Sequence, residues 1–241
     1  MQSDSATFVD RSPSESQCAV LWDLTNPIGY ANRMGSYKTR IEYDFIRAHF
    51  PPAPARVLDI GGGSGRFATK LLNDRYEVTV NDIHPPSLHT LEERCFDAKP
   101  KLLLGDFLKI DISSQFDCAL AIECLDRIPF EQAIARVHTL LRRDGIFVLT
   151  VLNSASWRCA ARRMLGRAPE IEYVMDTRRY VEACAAAGFQ VLALRGLMWM
   201  PLAVNSNSRL VPLFGNMERT FRLFTMYSQS PWLLIAARRR D

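Results

Sequence analysis

The chain has 241 residues, of which 48% are apolar and 23% charged, with a formal charge of +4. That composition excludes disorder of the bulk and suits one domain with embellishments or two small ones. The positive excess is too small to mark a nucleic-acid surface, and the longest apolar stretch, 196–204, already contains Pro201. A membrane span needs about 20 apolar residues, so no integral membrane segment is expected.

Residues 1–17 are rich in Ser, Asp and Pro and read as a tail. They show neither the basic nor the apolar region of a secretory signal, so a cytoplasmic location is expected. Residues 18–50 read as an N-terminal helical cap. Its last helix carries Ile41, Phe45 and Ile46 and is stopped by Pro51-Pro52-Ala53-Pro54. A strand at Val57–Ile60 then runs into a glycine cluster, and a helix is expected over Ser64–Asn73. Strand and helix continue to alternate. Tyr76–Val80, Lys101–Leu104, Phe116–Ile122 and Ile146–Leu152 read as strands, and Pro86–Phe96 and Phe130–Arg142 as helices. This alternation predicts βαβ units, hence a parallel sheet covered by helices on both faces.

The rest is less regular. Residues 154–176 form too long a connection for an ordinary βα link and read as a lid insertion. An Ala-rich helix follows at Thr177–Ala187, and Gln190–Leu194 and Trp232–Ala237 read as two more strands. Between these strands, about 205–228, lies a second insertion with weak helical periodicity. Residues 51–241 are thus expected to form one α/β domain.

The six cysteines (18, 95, 118, 124, 159 and 184) have no C-x-x-C spacing, and the four histidines do not cluster. Neither a disulfide framework nor a metal site is expected; the cysteines read as small apolar residues in a reducing compartment. The basic residues are nearly all Arg. Compositional bias explains most of them. Those in the first insertion, Arg158, Arg162, Arg163 and Arg167, form either a solvated face or a surface for an anionic group.

Chemistry concentrates at the strand ends. The segment Val57-Leu58-Asp59-Ile60-Gly61-Gly62-Gly63-Ser64-Gly65 is a strand, a glycine turn and a helix start. Such a turn lets a nucleotide-like cofactor approach the backbone at the carboxyl ends of the strands. Asp59, Asp82, Asp106 and Glu123 then place an acidic residue on each of four consecutive strands. A nicotinamide fingerprint needs a third glycine where Arg66 stands.

Five segments together resemble the class I S-adenosylmethionine-dependent methyltransferases: VLDIGGGSGRFA, VTVNDI, LLLGDF, FDCALAIECLDRIPF and VHTLLRRDGIFVLTVLN. The resemblance covers about residues 37–153 closely. It implies a doubly wound, Rossmann-like seven-stranded sheet in the order 3-2-1-4-5-7-6, the last strand antiparallel. It also implies that Gly61, Gly63 and Gly65 pass the methionine part of S-adenosylmethionine, that Asp82 holds the ribose, and that Ile83 packs on the adenine. Asp106 and Phe107 would meet the adenine amino edge, Asp59 the cofactor amino group, and Glu123 the methyl-transfer site. The segment TRIEYDFI is similar to one in the ubiquinone-pathway O-methyltransferases. The similarity makes Arg40, with Tyr37 nearby, a candidate for the cofactor carboxylate; a surface helix arginine is the other reading. Related enzymes often carry E-x-x-E-H after the fourth strand, but Arg127 occupies the histidine position and does not ligate metal.

The function these features imply is methyl transfer from S-adenosylmethionine, leaving S-adenosylhomocysteine, to oxygen or nitrogen of a small metabolite without metal. A lipid-linked or nucleic-acid acceptor, or a non-catalytic cofactor-binding protein, are the alternatives. Candidate acid–base groups are Glu123 and His84. Candidate acceptor contacts are Tyr30 and Arg33 from the cap and Asn153, Trp157, Arg158 and Tyr173 from the lid. Nothing in the sequence speaks to oligomeric state.

Overall fold

The computed structural model of the chain describes residues 32–95, 97–166, 173–203 and 206–240. The first helix, α1 (Arg33–His49), is opened by Asn32, whose side chain accepts from Gly35 N at 2.7 Å. Met34, Tyr37, Ile41, Phe45 and Ile46 recur at three- and four-residue intervals and bury one face. Lys38 and Glu42 lie on that same buried face.

Seven strands follow: β1 (Arg56–Ile60), β2 (Glu77–Asp82), β3 (Lys101–Leu104), β4 (Phe116–Ile122), β5 (Leu141–Leu152), β6 (Phe189–Leu197) and β7 (Trp232–Arg239). They form one sheet in the order β3-β2-β1-β4-β5-β7-β6. The pairs β1–β2, β1–β4, β2–β3 and β4–β5 are parallel, while β7 runs antiparallel to both β5 and β6. Order and reversed strand are those the sequence resemblance implies.

Neighbouring strand residues face opposite cores. Val57, Val80, Leu120 and Val148 pack with α1, α2 (Ala68–Asn73) and α3 (Pro85–Arg94). Leu58, Ala119, Phe147 and Leu149 pack with α4 (Phe130–Leu140) and α6 (Thr177–Ala186). Each fully buried Val, Leu or Phe among these contributes roughly 1.5–3 kcal/mol, which is why the short central strands are secure.

Two of the expected helices give way to the structure beside them. The glycine turn extends through Phe67, so the helix expected from Ser64 begins at Ala68. The helix expected to reach Arg142 stops at Leu140, because Leu141 is extended and pairs with Phe116 as the start of β5. Among the described residues each insertion contributes one α-helix, α5 (Trp157–Met164) and α7 (Val211–Thr220). Since β5 and β6 end at the carboxyl edge of the parallel sheet, both insertions leave from that edge. Residues 1–31, and 167–172 of the lid, lie outside the described residues.

Candidate active site

The turn after β1 is built to approach a ligand. Gly61 and Gly63 have φ of 64° and 55°, a region that suits glycine. A Cβ on Gly61 would stand 2.6 Å from Cys124 Cβ on the loop after β4, so this turn and that loop touch.

Asp82 joins the next strand to the turn. Its Oδ2 accepts from Gly63 N and its Oδ1 from His84 N, each at 2.8 Å. Burial pushes its carboxyl above the ordinary range, and those two donors oppose the shift. Asp106 Oδ1 accepts from Leu108 N at 2.9 Å, and its other oxygen stands 3.4 Å from Lys109 Nζ. Between these carboxylates Ile83 is 49% exposed, an apolar side chain left open at the end of β2. Phe107 is buried.

Asp59 is 2% exposed and its Oδ2 has no hydrogen-bond partner. Burial raises its carboxyl to about 8, with Arg66 opposing and Asp82 adding to the shift. An orphaned buried carboxyl beside a glycine turn fits a cationic group on a ligand. A nucleoside bearing an ammonium suits this edge; a pyrophosphate would meet carboxylates instead.

A buried ion network closes the edge on the side of α1. Lys38 touches the Glu123 carboxylate, lies 3.9 Å from Glu42 Oε1 and stands 3.5 Å over the Trp232 ring. Arg66 Nη1 is 3.1 Å from Glu42 Oε2, and its Nη2 is 3.5 Å from Glu123 Oε2. Two cations thus answer two carboxylates. Burial pulls the Lys38 amine down to about 7, with Glu42 opposing, and pushes the Glu123 carboxyl up to about 8, with Asp126 adding to the shift. Glu123 adopts φ of 60°, a strained conformation for a residue with a side chain. Close by, Asp126 Oδ1 is buried without a partner and its carboxyl is raised by burial.

Lys38, Glu42 and Arg66 were not singled out by the sequence reading. The signal was present, since Lys38 and Glu42 fall within the apolar spacing of α1. Arg40 lies two residues from both, hence on a different face. It is exposed on a groove of about 380 Å³ lined also by Tyr43, Arg66 and Lys70, and makes no inward contact.

Other expected ligand contacts have structural partners. Tyr37 donates its hydroxyl to Glu218 Oε2 of α7 at 2.6 Å. Asn153 Nδ2 donates to the carbonyls of Ser228 and Ser230 at 2.9 and 3.0 Å, and its Oδ1 accepts from Ala155 N. Arg158 donates to the carbonyls of Met200 and Leu202, joining the two insertions. The polar atoms of these two side chains are taken up by backbone groups of the roof. His84 is buried with Nδ1 2.8 Å from Ser87 Oγ. Arg33 is exposed and Tyr173 half-buried. Trp157 differs, for its buried indole N–H has no partner. Tyr30 lies outside the described residues.

A parallel sheet in this order with β7 reversed, and a glycine turn facing three further acidic strand ends, is the class I S-adenosylmethionine-dependent methyltransferase architecture. A solved structure of Burkholderia thailandensis 1,6-didemethyltoxoflavin N1-methyltransferase, bound to 1,6-didemethyltoxoflavin and S-adenosylhomocysteine, shares it. That protein aligns over 94% of this chain and 87% of its own, with a TM-score of 0.63 and 21% identity, a likeness of fold. In sequence, the chain is 29% identical over 138 residues to a ubiquinone biosynthesis O-methyltransferase of Xanthomonas axonopodis pv. citri (strain 306), covering 55% of this chain and 56% of that one. It is 26% identical over 156 residues to a malonyl-[acyl-carrier protein] O-methyltransferase of Paenibacillus sp. (strain JDR-2), covering 57% and 56%. The chain therefore spans about half the length of these curated relatives. The methyltransferase domain family matches residues 33–194, and the chain belongs to it. S-adenosylmethionine is the methyl donor of that class.

Proposed function

We propose that this protein transfers a methyl group from S-adenosylmethionine to an oxygen or nitrogen of a small molecule. The observation that carries the reading is the orphaned Asp59 carboxyl at the glycine turn, with Asp82 and Asp106 on the adjoining strand ends. In this reading Gly61, Gly63 and Gly65 pass the methionine part, Asp59 takes its ammonium, Asp82 the ribose hydroxyls, and Asp106 with Ile83 and Phe107 the adenine. The bound cofactor supplies a methyl group already activated on a sulfonium, so the chain's task is positioning and exclusion of water.

The roof provides the exclusion. Tyr37 ties α1 to α7, Met34 N donates to Ser206 O at 3.1 Å, and Arg158 ties α5 to the loop before α7. A roof joined in this way suits a small acceptor. The relatives and the structural neighbour include O- and N-methyltransferases by name, which supports the two acceptor atoms. Metal is not needed in this scheme, because Arg127 stands where related enzymes carry a histidine ligand.

Calorimetry tests the reading. S-adenosylhomocysteine is expected to bind and NAD not to bind. Asp82→Ala is expected to stay folded and lose about 1–3 kcal/mol of S-adenosylhomocysteine affinity, the cost of removing a charged acceptor. Tight NAD binding, or full affinity in a folded Asp82→Ala protein, would overturn it.

A further inference from the structure

The outer surface of the roof has no part in holding a cofactor, yet it is unusual in two respects. On α7, Leu213, Met217 and Phe221 are 55%, 42% and 66% exposed, and Leu210 just before it is 50% exposed. At 100° per residue these four lie within one narrow stripe, beside the face that buries Val211, Gly215 and Glu218. On α5 no residue is buried, and Met164 and Leu165 at its end are 88% and 71% exposed. Apolar side chains grouped this way on two helices of the roof mark an interaction surface.

The charge around them has one sign. Arg162 and Arg163 precede the exposed tip of α5, Arg209 borders the stripe of α7 and Arg222 follows its end, all exposed. Among the described residues of 154–166 and 198–231, the sole acidic residue is Glu218, which is buried against Tyr37. Asp176, the described acid of the lid, caps α6 by accepting from Arg179 N. Apolar side chains beside arginine, with no exposed acid among these described residues, complement a surface that is negative outside and apolar beneath.

We infer that α5 and α7 form a docking face for an anionic lipid bilayer, with Phe221, Met217 and Leu213 entering the interface and the arginines meeting the head groups. Both helices leave from the carboxyl edge of the sheet, so docking sets that edge, and the acceptor's entrance, against the membrane. No helix among the described residues is long and apolar enough to cross a membrane, so the contact is peripheral. The inference does not depend on which cofactor or acceptor the protein uses, and its test reads lipid binding alone.

Flotation of the full chain with vesicles decides it. Binding is expected to vesicles of phosphatidylcholine with phosphatidylglycerol, with little to phosphatidylcholine alone, and is expected to fall as salt rises. Phe221→Glu and, separately, Arg209→Glu with Arg222→Glu should each weaken binding by on the order of tenfold or more while leaving the circular dichroism spectrum unchanged. Failure to float, or equal binding to both vesicle types that ignores these substitutions, overturns the inference. A concentration-dependent dimer in light scattering that Phe221→Glu converts to monomer also overturns it, since a second copy would then be the occupant.

Discussion

The carboxyl ends of β1–β3 and the roof made by α1, α5 and α7 handle polar groups in opposite ways. At the strand ends, carboxylates are ordered by nearby backbone N–H groups and keep acceptor capacity in reserve: Asp82 is positioned by Gly63 and His84, and Asp59 has an oxygen with no partner. In the roof, polar side chains are consumed by the protein itself, as with Asn153, Arg158 and the Tyr37–Glu218 pair. The first arrangement suits a ligand that returns in the same pose at every turnover. The second suits a cover whose shape matters more than its chemistry. The Lys38–Glu123 contact is where the two regions meet, linking α1 to the end of β4.

The hardest way to break this division is at that junction. Lys38→Met leaves Glu123 and Glu42 buried with Arg66 as their remaining cation in the network, and is expected to lower stability by about 3 kcal/mol or more in chemical denaturation. Adding Glu123→Gln should restore most of the loss, because the uncompensated buried charge goes with it. A Lys38→Met protein as stable as the parent would mean that the roof is not anchored there.

A smaller effect sharpens the cofactor side. The Asp59 carboxyl is held near 8 by burial, so it is protonated in the free protein at neutral pH. Its folded value lies above the ordinary carboxylate value; stability from this group is therefore full at acid pH and falls as pH rises towards 8. A ligand ammonium against Asp59 favours the carboxylate, so binding S-adenosylhomocysteine at neutral pH should release up to about one proton, and affinity should rise with pH over the same window. Calorimetry in two buffers of different ionisation enthalpy measures this release. Asp59→Asn should abolish it, and no release in the parent protein would remove Asp59 from the ammonium role.

The smallest effect belongs to the roof. Tyr37→Phe is expected to cost about 1 kcal/mol, because Glu218 loses one donor. Affinity for S-adenosylhomocysteine should hold while hydrogen exchange in α7 speeds up. Weakened cofactor binding with unchanged exchange would return Tyr37 to the cofactor side.

These contrasts follow how each region is written in the chain. The strands and the acidic strand ends were legible because they are local: Val57–Ile60 is a short apolar run, a glycine cluster follows it, and Asp82 and Asp106 close similar runs. The order of strands and the reversal of β7 came from resemblance, since nothing local in Trp232–Arg239 states its direction. The roof was not legible in this way. Asn153 and Arg158 look like ligand contacts in one dimension, and only the approach of residues 200–202 and 228–230 shows that backbone carbonyls take them up.

By itself the sequence determined the alternation of strands and helices, the glycine turn and the carboxylates beside it, because hydrophobic periodicity and turn chemistry act between near neighbours. Tertiary structure decided which face of α1 turns inward. The two-residue offset between Lys38 and Arg40 puts one cation in the core and the other on the surface, and the core cation survives because Glu42, on α1 itself, Glu123, just after β4, and Trp232, at the start of β7, converge on it. Such a compensation links residues as much as 194 positions apart, and desolvation makes it a condition of burying the charge at all.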